Sequence, residues 1–306
     1  MSEQVPVVLD VDTGTDDALA LAYAVASPRI ELVGVTTVAG NVDVEKTTAN
    51  TLSVLDWLGA AHVPVHRGAS RPLVRPHQDA SYFHDEGGLG GAQLPTSTRS
   101  VGADRGPAAL IRLARQRPGE LTLVALGPLT NVAIALNVEP MLPRLLKSVV
   151  VMGGAYSVPG NTTPAAEFKI LVDPEAADQV FGAAFPDFTA VGLDVTQQVA
   201  LSRVDWDAAN AASSLPRSAR LLREIGISAF AKLNLDPFSL HDPLAVAVAV
   251  DPTLITFREV AITVDTIEPE IGRTRIAGPG SVRVAASVES QRALDDFRRT
   301  VGLPSP

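Results

Sequence analysis

The chain alternates short, wholly apolar runs with longer segments whose apolar residues recur at helical spacing. Val7 to Leu9 predicts a strand, and a helix follows from about Asp17 to Ala26. Glu31 to Val38 predicts a second strand, and Val44 to Leu58 a second helix. Val63–Arg67, Leu121–Leu126, Ser148–Met152 and Phe188–Leu193 read as further strands. Strands this apolar on both faces, with helices between them, predict an α/β fold. Its central sheet is mostly parallel and covered by helices on both faces. In such sheets ligands sit outside the carboxyl ends of the strands. The polar residues that break the pattern fall at those ends: the acids of segment 10–17, Ala39-Gly40-Asn41, Gly127-Pro128, Gly153-Gly154 and Asp194.

The rhythm lapses twice. Residues 68–105, rich in Pro, Gly, Ser and His, read as a long functional loop. Residues 210–240 look helical but end in Leu-Asp-Pro-Phe-Ser just before His241. The tail carries β-like runs at 254–264, 271–277 and 281–288, then a helix. No repeat or linker divides residues 1–306, so one domain is expected.

Composition narrows the function. A hydrophobic share of 46% with 19% charged residues is that of an ordinary globular protein. The net charge of −9, spread along the chain, argues against nucleic acid or an anionic membrane as main partner. There is no cysteine, hence no disulfide, thiolate metal site or cysteine nucleophile. No secretory leader pattern opens the sequence and no apolar run reaches membrane-spanning length, so a cytoplasmic enzyme is expected.

The candidate chemistry is concentrated in Asp10-Val-Asp12-Thr-Gly14-Thr-Asp16-Asp17, directly after the first strand. Carboxylates so crowded repel one another and resist desolvation unless a cation or a shared proton intervenes. Capping of the following helix accounts for Asp16 or Asp17, but not for Asp10 and Asp12 on the strand side. Oxygen-only donors suit a hard cation such as Ca²⁺ or Mg²⁺.

This stretch resembles the N-terminal fingerprint of the calcium-dependent, inosine–uridine-preferring nucleoside hydrolases. Four further matches come in the family's order: Thr37-Val-Ala-Gly-Asn41; Leu126-Gly-Pro-Leu-Thr-Asn131; Met152-Gly-Gly154 with Asn161 to Glu167 and Asp173-Pro-Glu175; and His241-Asp-Pro-Leu244. The resemblance implies hydrolysis of the N-glycosidic bond of ribonucleosides to ribose and free base. It implies Ca²⁺ held by Asp12, Asp17, the Leu126 carbonyl and Asp242, with Asp12 as the base that activates water. Asp16 and Asn41 would bind ribose hydroxyls, and Asn161 and Glu167 the 5′-hydroxyl end. A small nucleoside would be the partner, and a homo-oligomer, dimer or tetramer, is expected from the family.

Several residues carry two readings. His241 is either the donor to the leaving base or a helix N-terminal histidine bonded to backbone. His84, in His-Asp-Glu-Gly-Gly, is either base-proximal or a solvated loop residue. Phe168 and Met152 either line the sugar or simply pack. In segment 222–235 only Phe230 offers an aromatic face to a base.

Lys169 departs most from the family pattern, which has asparagine after Ala-Glu-Phe. Pointing inward, its ammonium would neutralise part of the acid cluster; otherwise it would pair with Glu167 or Asp194, or snorkel outward. Only four lysines occur in the chain, so drift to lysine is not its habit. Lys169 therefore motivates a second reading, a ribosyl-binding homologue with altered catalysis. A third, weaker reading takes Asp10-Val-Asp12-Thr as the opening of a haloacid-dehalogenase-type phosphotransferase.

Overall fold

The computed structural model describes residues 4–80, 86–232 and 236–304. Eight strands form one sheet in the order β3-β2-β1-β4-β5-β6-β10-β9. They are β1 Val5–Val11, β2 Ile30–Thr37, β3 Val65–Arg67, β4 Thr122–Ala125, β5 Ser148–Met152 and β6 Phe188–Val191. The short β7, Ala200–Leu201, and β8, Phe238–Ser239, pair apart from it, and β9 Ile255–Val264 and β10 Thr274–Val288 complete the edge. All pairings in the large sheet are parallel except β9 with β10. A mostly parallel sheet with helices over both faces is what the apolar runs predicted; the antiparallel edge formed by β9 and β10 adds to it.

Alternation along β1 separates the two halves of the core. Val7, Leu9 and Val11 face one apolar cluster and Val8 faces the other. Each such fully buried side chain contributes about 1.5–3 kcal/mol. On the first face lie α1, Thr15–Ala26, the helix His241–Val250 and the C-terminal helix Ser290–Val301. On the second lie Gly106–Gln116, Thr130–Val138 and Pro174–Phe181.

The chain runs outward from β1 to β2 and β3, then returns to place β4 on the other side of β1. This reversal opens a crevice at the carboxyl ends of β1 and β4, where the segment beginning at Asp10 and the turn at Leu126 meet. The Leu126 and Gly127 N–H groups both donate to the Asp10 carbonyl, at 2.7 and 3.1 Å.

Strand ends shift from the sequence pattern by one or two residues, and two further differences bear on the fold. The tail runs predicted at 271–277 and 281–288 form one strand, β10. Register shifts around Gly278 and before Val282 absorb Pro279 without ending the pairing with β9. α1 starts at Thr15, earlier than predicted, because Gly14 serves as its N-cap.

Candidate active site

Asp16 and Asp17 stand in the first turn of α1, where the helix dipole favours negative charge. Asp17 is locked: Oδ1 accepts the Asp12 N–H at 3.2 Å, and Oδ2 accepts the Gly14 N–H at 3.0 Å and the Asn41 side-chain amide at 3.2 Å. The capping role suggested for this pair is thus Asp17's, yet a carboxylate so bonded keeps lone pairs for a further ligand. Asp12 accepts the Asn41 N–H on Oδ2 at 2.8 Å. Its Oδ1 is buried with no hydrogen-bond partner among the described residues. Gly40 makes this possible: a Cβ there would lie 2.1 Å from Asp12 Oδ2.

Asp242 enters from the opposite end of the sequence, in the first turn of His241–Val250. One carboxylate oxygen each from Asp16, Asp17 and Asp242 lies within 4.8 Å of the others, and all three residues are buried. Lys169 points inward and forms a buried ion pair with Asp242 Oδ1; its ammonium also lies 3.2 Å from Met152 Sδ. Its alternative partners are engaged elsewhere. Glu167 caps the short helix Phe168–Val172 by accepting the Lys169 and Ile170 N–H groups. Asp194 accepts the Tyr156 and Ser157 N–H groups.

The electrostatics follow from crowding. Burial, then repulsion from Asp17, pushes the Asp12 carboxyl well above the usual range. Burial, then Asp16, raises Asp17 to about 6. Burial and Asp16 raise Asp242 against the pull of Lys169. Burial opposes the charge of Lys169, but Asp242, Asp16, Asp17 and Asp12 outweigh it, so the ammonium is held more tightly protonated than a free lysine. Asp10 lies behind the cluster, its Oδ1 accepting from Thr36 and Asn131, and burial raises it to about 7.

In front of the acids lies a cavity of about 310 Å³ lined by Asp16, Asn41, Met152, Asn161, Glu167, Phe168, Lys169 and His241. Asn161 accepts the Phe168 N–H on Oδ1 at 2.9 Å, which ties these two wall residues together. His241 Nδ1 shares a 2.7 Å hydrogen bond with Thr196 Oγ1. His84 falls outside the described residues. Phe230 is not in the wall: it is buried against Trp206 and Phe238. The aromatic residue of that region in the wall is Phe238, joined by Ser239, Thr162 and Ala80. Phe238 and Ser239 stand two or three residues before His241, a signal the sequence offered; Thr196 and Ala80 offered none.

The donors of the acid cluster are all oxygen, and among the described residues Asp12 Oδ1 and Asp242 Oδ2 are buried without hydrogen-bond partners, so the cluster fits a hard divalent cation. Comparison with known proteins agrees on the fold and identifies the family. The family model described as inosine-uridine preferring nucleoside hydrolase matches residues 7–295. The chain belongs to this family. It is accordingly an enzyme of the class that acts on N-glycosyl bonds. The inosine-uridine preferring nucleoside hydrolase of Leishmania major is 37% identical, covering 85% of this chain and 83% of that one. A non-specific ribonucleoside hydrolase of Salmonella enteritidis is also 37% identical, covering 98% and 97%. Among solved structures, a plant nucleoside hydrolase superposes with a TM-score of 0.90 at 30% identity, covering 98% and 99%. A purine-preferring ribonucleoside hydrolase from Gardnerella vaginalis superposes at 0.88 with 33% identity, covering 97% and 98%. Among the described residues no helix is long and apolar enough to cross a membrane.

Proposed function

We propose that this enzyme hydrolyses ribonucleosides to ribose and free base, with Ca²⁺ as its cofactor and Asp12 as the base. The observation that carries the reading is Asp12 Oδ1, a buried carboxylate oxygen without a partner beside the acid cluster. The cation, held by Asp17, Asp242 and Asp12 with the Leu126 carbonyl, would position and polarise a water for deprotonation by a neighbouring base. Asp12 takes the proton of the attacking water. Asp16 and Asn41 bind the ribose hydroxyls, and their place in the cavity wall supports this. Asn161 and Glu167 hold the 5′ end. The surrounding carboxylates stabilise the positive charge that builds on the ribosyl ring as the bond to the base breaks. His241, oriented through Nδ1 by Thr196, offers its other nitrogen to the leaving base.

The relatives' names specify inosine and uridine, no preference, and purines, so base choice does not transfer from them. Phe168 and Phe238 in the wall support stacking on either class of base. The reading extends to a cytoplasmic homo-oligomer, dimer or tetramer, serving nucleoside salvage. The deciding experiment measures ribose release from uridine, cytidine, inosine and adenosine with added Ca²⁺ and with a strong chelator. Ca²⁺-dependent release is expected; no release from any of them with Ca²⁺ present sinks the proposal.

One observation favours the second reading, a ribosyl-binding homologue with altered turnover: the Lys169 ammonium stands on Asp242. Ca²⁺ binding without ribose release would select it. The phosphotransferase reading needs Asp10 as nucleophile, and Asp10 is fully buried behind the cavity wall.

A further inference from the structure

Lys169 is the one residue at the acid cluster whose charge runs against the family pattern, and the fold has built it in. Glu167 accepts the Lys169, Ile170 and Gly154 N–H groups, which fixes the backbone from which the side chain departs. The stem is 6% exposed and ends between Met152 Sδ and Asp242 Oδ1. The ammonium also feels Asp12, Asp16 and Asp17 as favourable charges. Asp242 is therefore claimed twice: its Oδ1 by the ammonium, and the residue itself as a member of the acid group fitted to a divalent cation, with its Oδ2 buried and without a hydrogen-bond partner among the described residues. Two cations on one buried carboxylate repel each other where little solvent screens them.

We propose that Lys169 is a tethered counter-cation that holds the carboxylate cluster together without metal, so that metal binding here is an exchange of one cation for another. The consequence is a site that stays folded when stripped and takes up metal only at high concentration. This rests on reading the cluster as a cation site, and not on which bond the enzyme cleaves. An anionic substrate group is a poor alternative occupant, because four carboxylates face this one ammonium.

The test compares full-length wild type with Lys169→Asn, Lys169→Met and Lys169→Arg, each stripped with chelator and dialysed. Ca²⁺ affinity is read by titration calorimetry and the thermal midpoint is followed with and without Ca²⁺. Lys169→Asn and Lys169→Met should bind Ca²⁺ at least about tenfold more tightly than wild type. Stripped Lys169→Met should melt about 5–10 °C below stripped wild type, and saturating Ca²⁺ should restore most of that loss. Lys169→Arg, which keeps the charge, should resemble wild type in Ca²⁺ affinity. Equal affinities across the four proteins overturn the proposal, as does an unchanged midpoint in stripped Lys169→Met. Should Lys169→Met fail to fold even with Ca²⁺, Lys169→Asn decides through its affinity alone. Exchange behaviour without ribose release would leave this inference standing and remove the hydrolase reading; ribose release with equal affinities would do the reverse.

Discussion

The ring of His241 is held by the hydroxyl of Thr196, 2.7 Å from Nδ1, and Thr196 is itself fully buried. The partner on one ring nitrogen fixes what the other can offer, so Thr196 acts as a positioning residue for a histidine in the cavity wall. Thr196→Val keeps the shape and removes the bond. It should lower kcat by about 10–100-fold with little change in KM, and Thr196→Ser should recover most of the loss. Steady-state ribose release measures both; a rise in KM alone would assign Thr196 to packing.

Asp12→Asn preserves the volume of the side chain and removes the proposed base. Turnover should fall by at least about 10²–10⁴-fold, while circular dichroism stays that of the wild type. Activity within tenfold of wild type would move the base to another residue.

Gly40→Ala probes the same carboxylate from its backbone side. Gly40 does not require a left-handed conformation, so the added methyl acts through its clash with the Asp12 side chain, 2.1 Å from Oδ2 and 2.8 Å from Cβ and Cγ. Displacement of Asp12 should weaken Ca²⁺ binding and abolish most activity, leaving the helix content intact. Calorimetry and a ribose assay on the one variant suffice to check this.

A fourth expectation concerns stability far from the cavity. Asp296 on the C-terminal helix accepts from Tyr23 of α1 and from Arg29 and Arg299. Burial opposes its charge, but these donors hold the carboxyl below its usual value. A depressed carboxylate stabilises the fold above its unfolded pKa, and the contribution is lost as pH falls through the folded value. Asp296→Asn should therefore cost about 2–4 kcal/mol at neutral pH and much less in acid, below the ordinary carboxylate range. Denaturant titrations at neutral and acidic pH give the difference directly.

Much of this was legible in the residues. The wholly apolar runs located the strands, and Val44–Leu58 was found to the residue because Asp43 caps it and Gly59 ends it. The acid cluster announced itself through repulsion that no ordinary surface requires. Other features depend on packing between distant segments. Sequence allowed Lys169 several partners, and only the inward course of its stem past Met152 selects Asp242. Thr196 carries no signal at all, since a buried threonine after a strand is commonplace. Phe230 misled for a simpler reason: aromatic side chains near a cavity satisfy packing first, and Phe230 packs at a tilt against Trp206 in the core.

The crevice beside β1 draws its acids from residues 12–17 and from residue 242, with the lysine between them in sequence. A growing polypeptide leaving the ribosome therefore exposes the aspartates of its first loop long before their balancing groups are made. A chain stopped before the helix His241–Val250 lacks Asp242 and His241 together. A product terminated there should therefore show no partial activity.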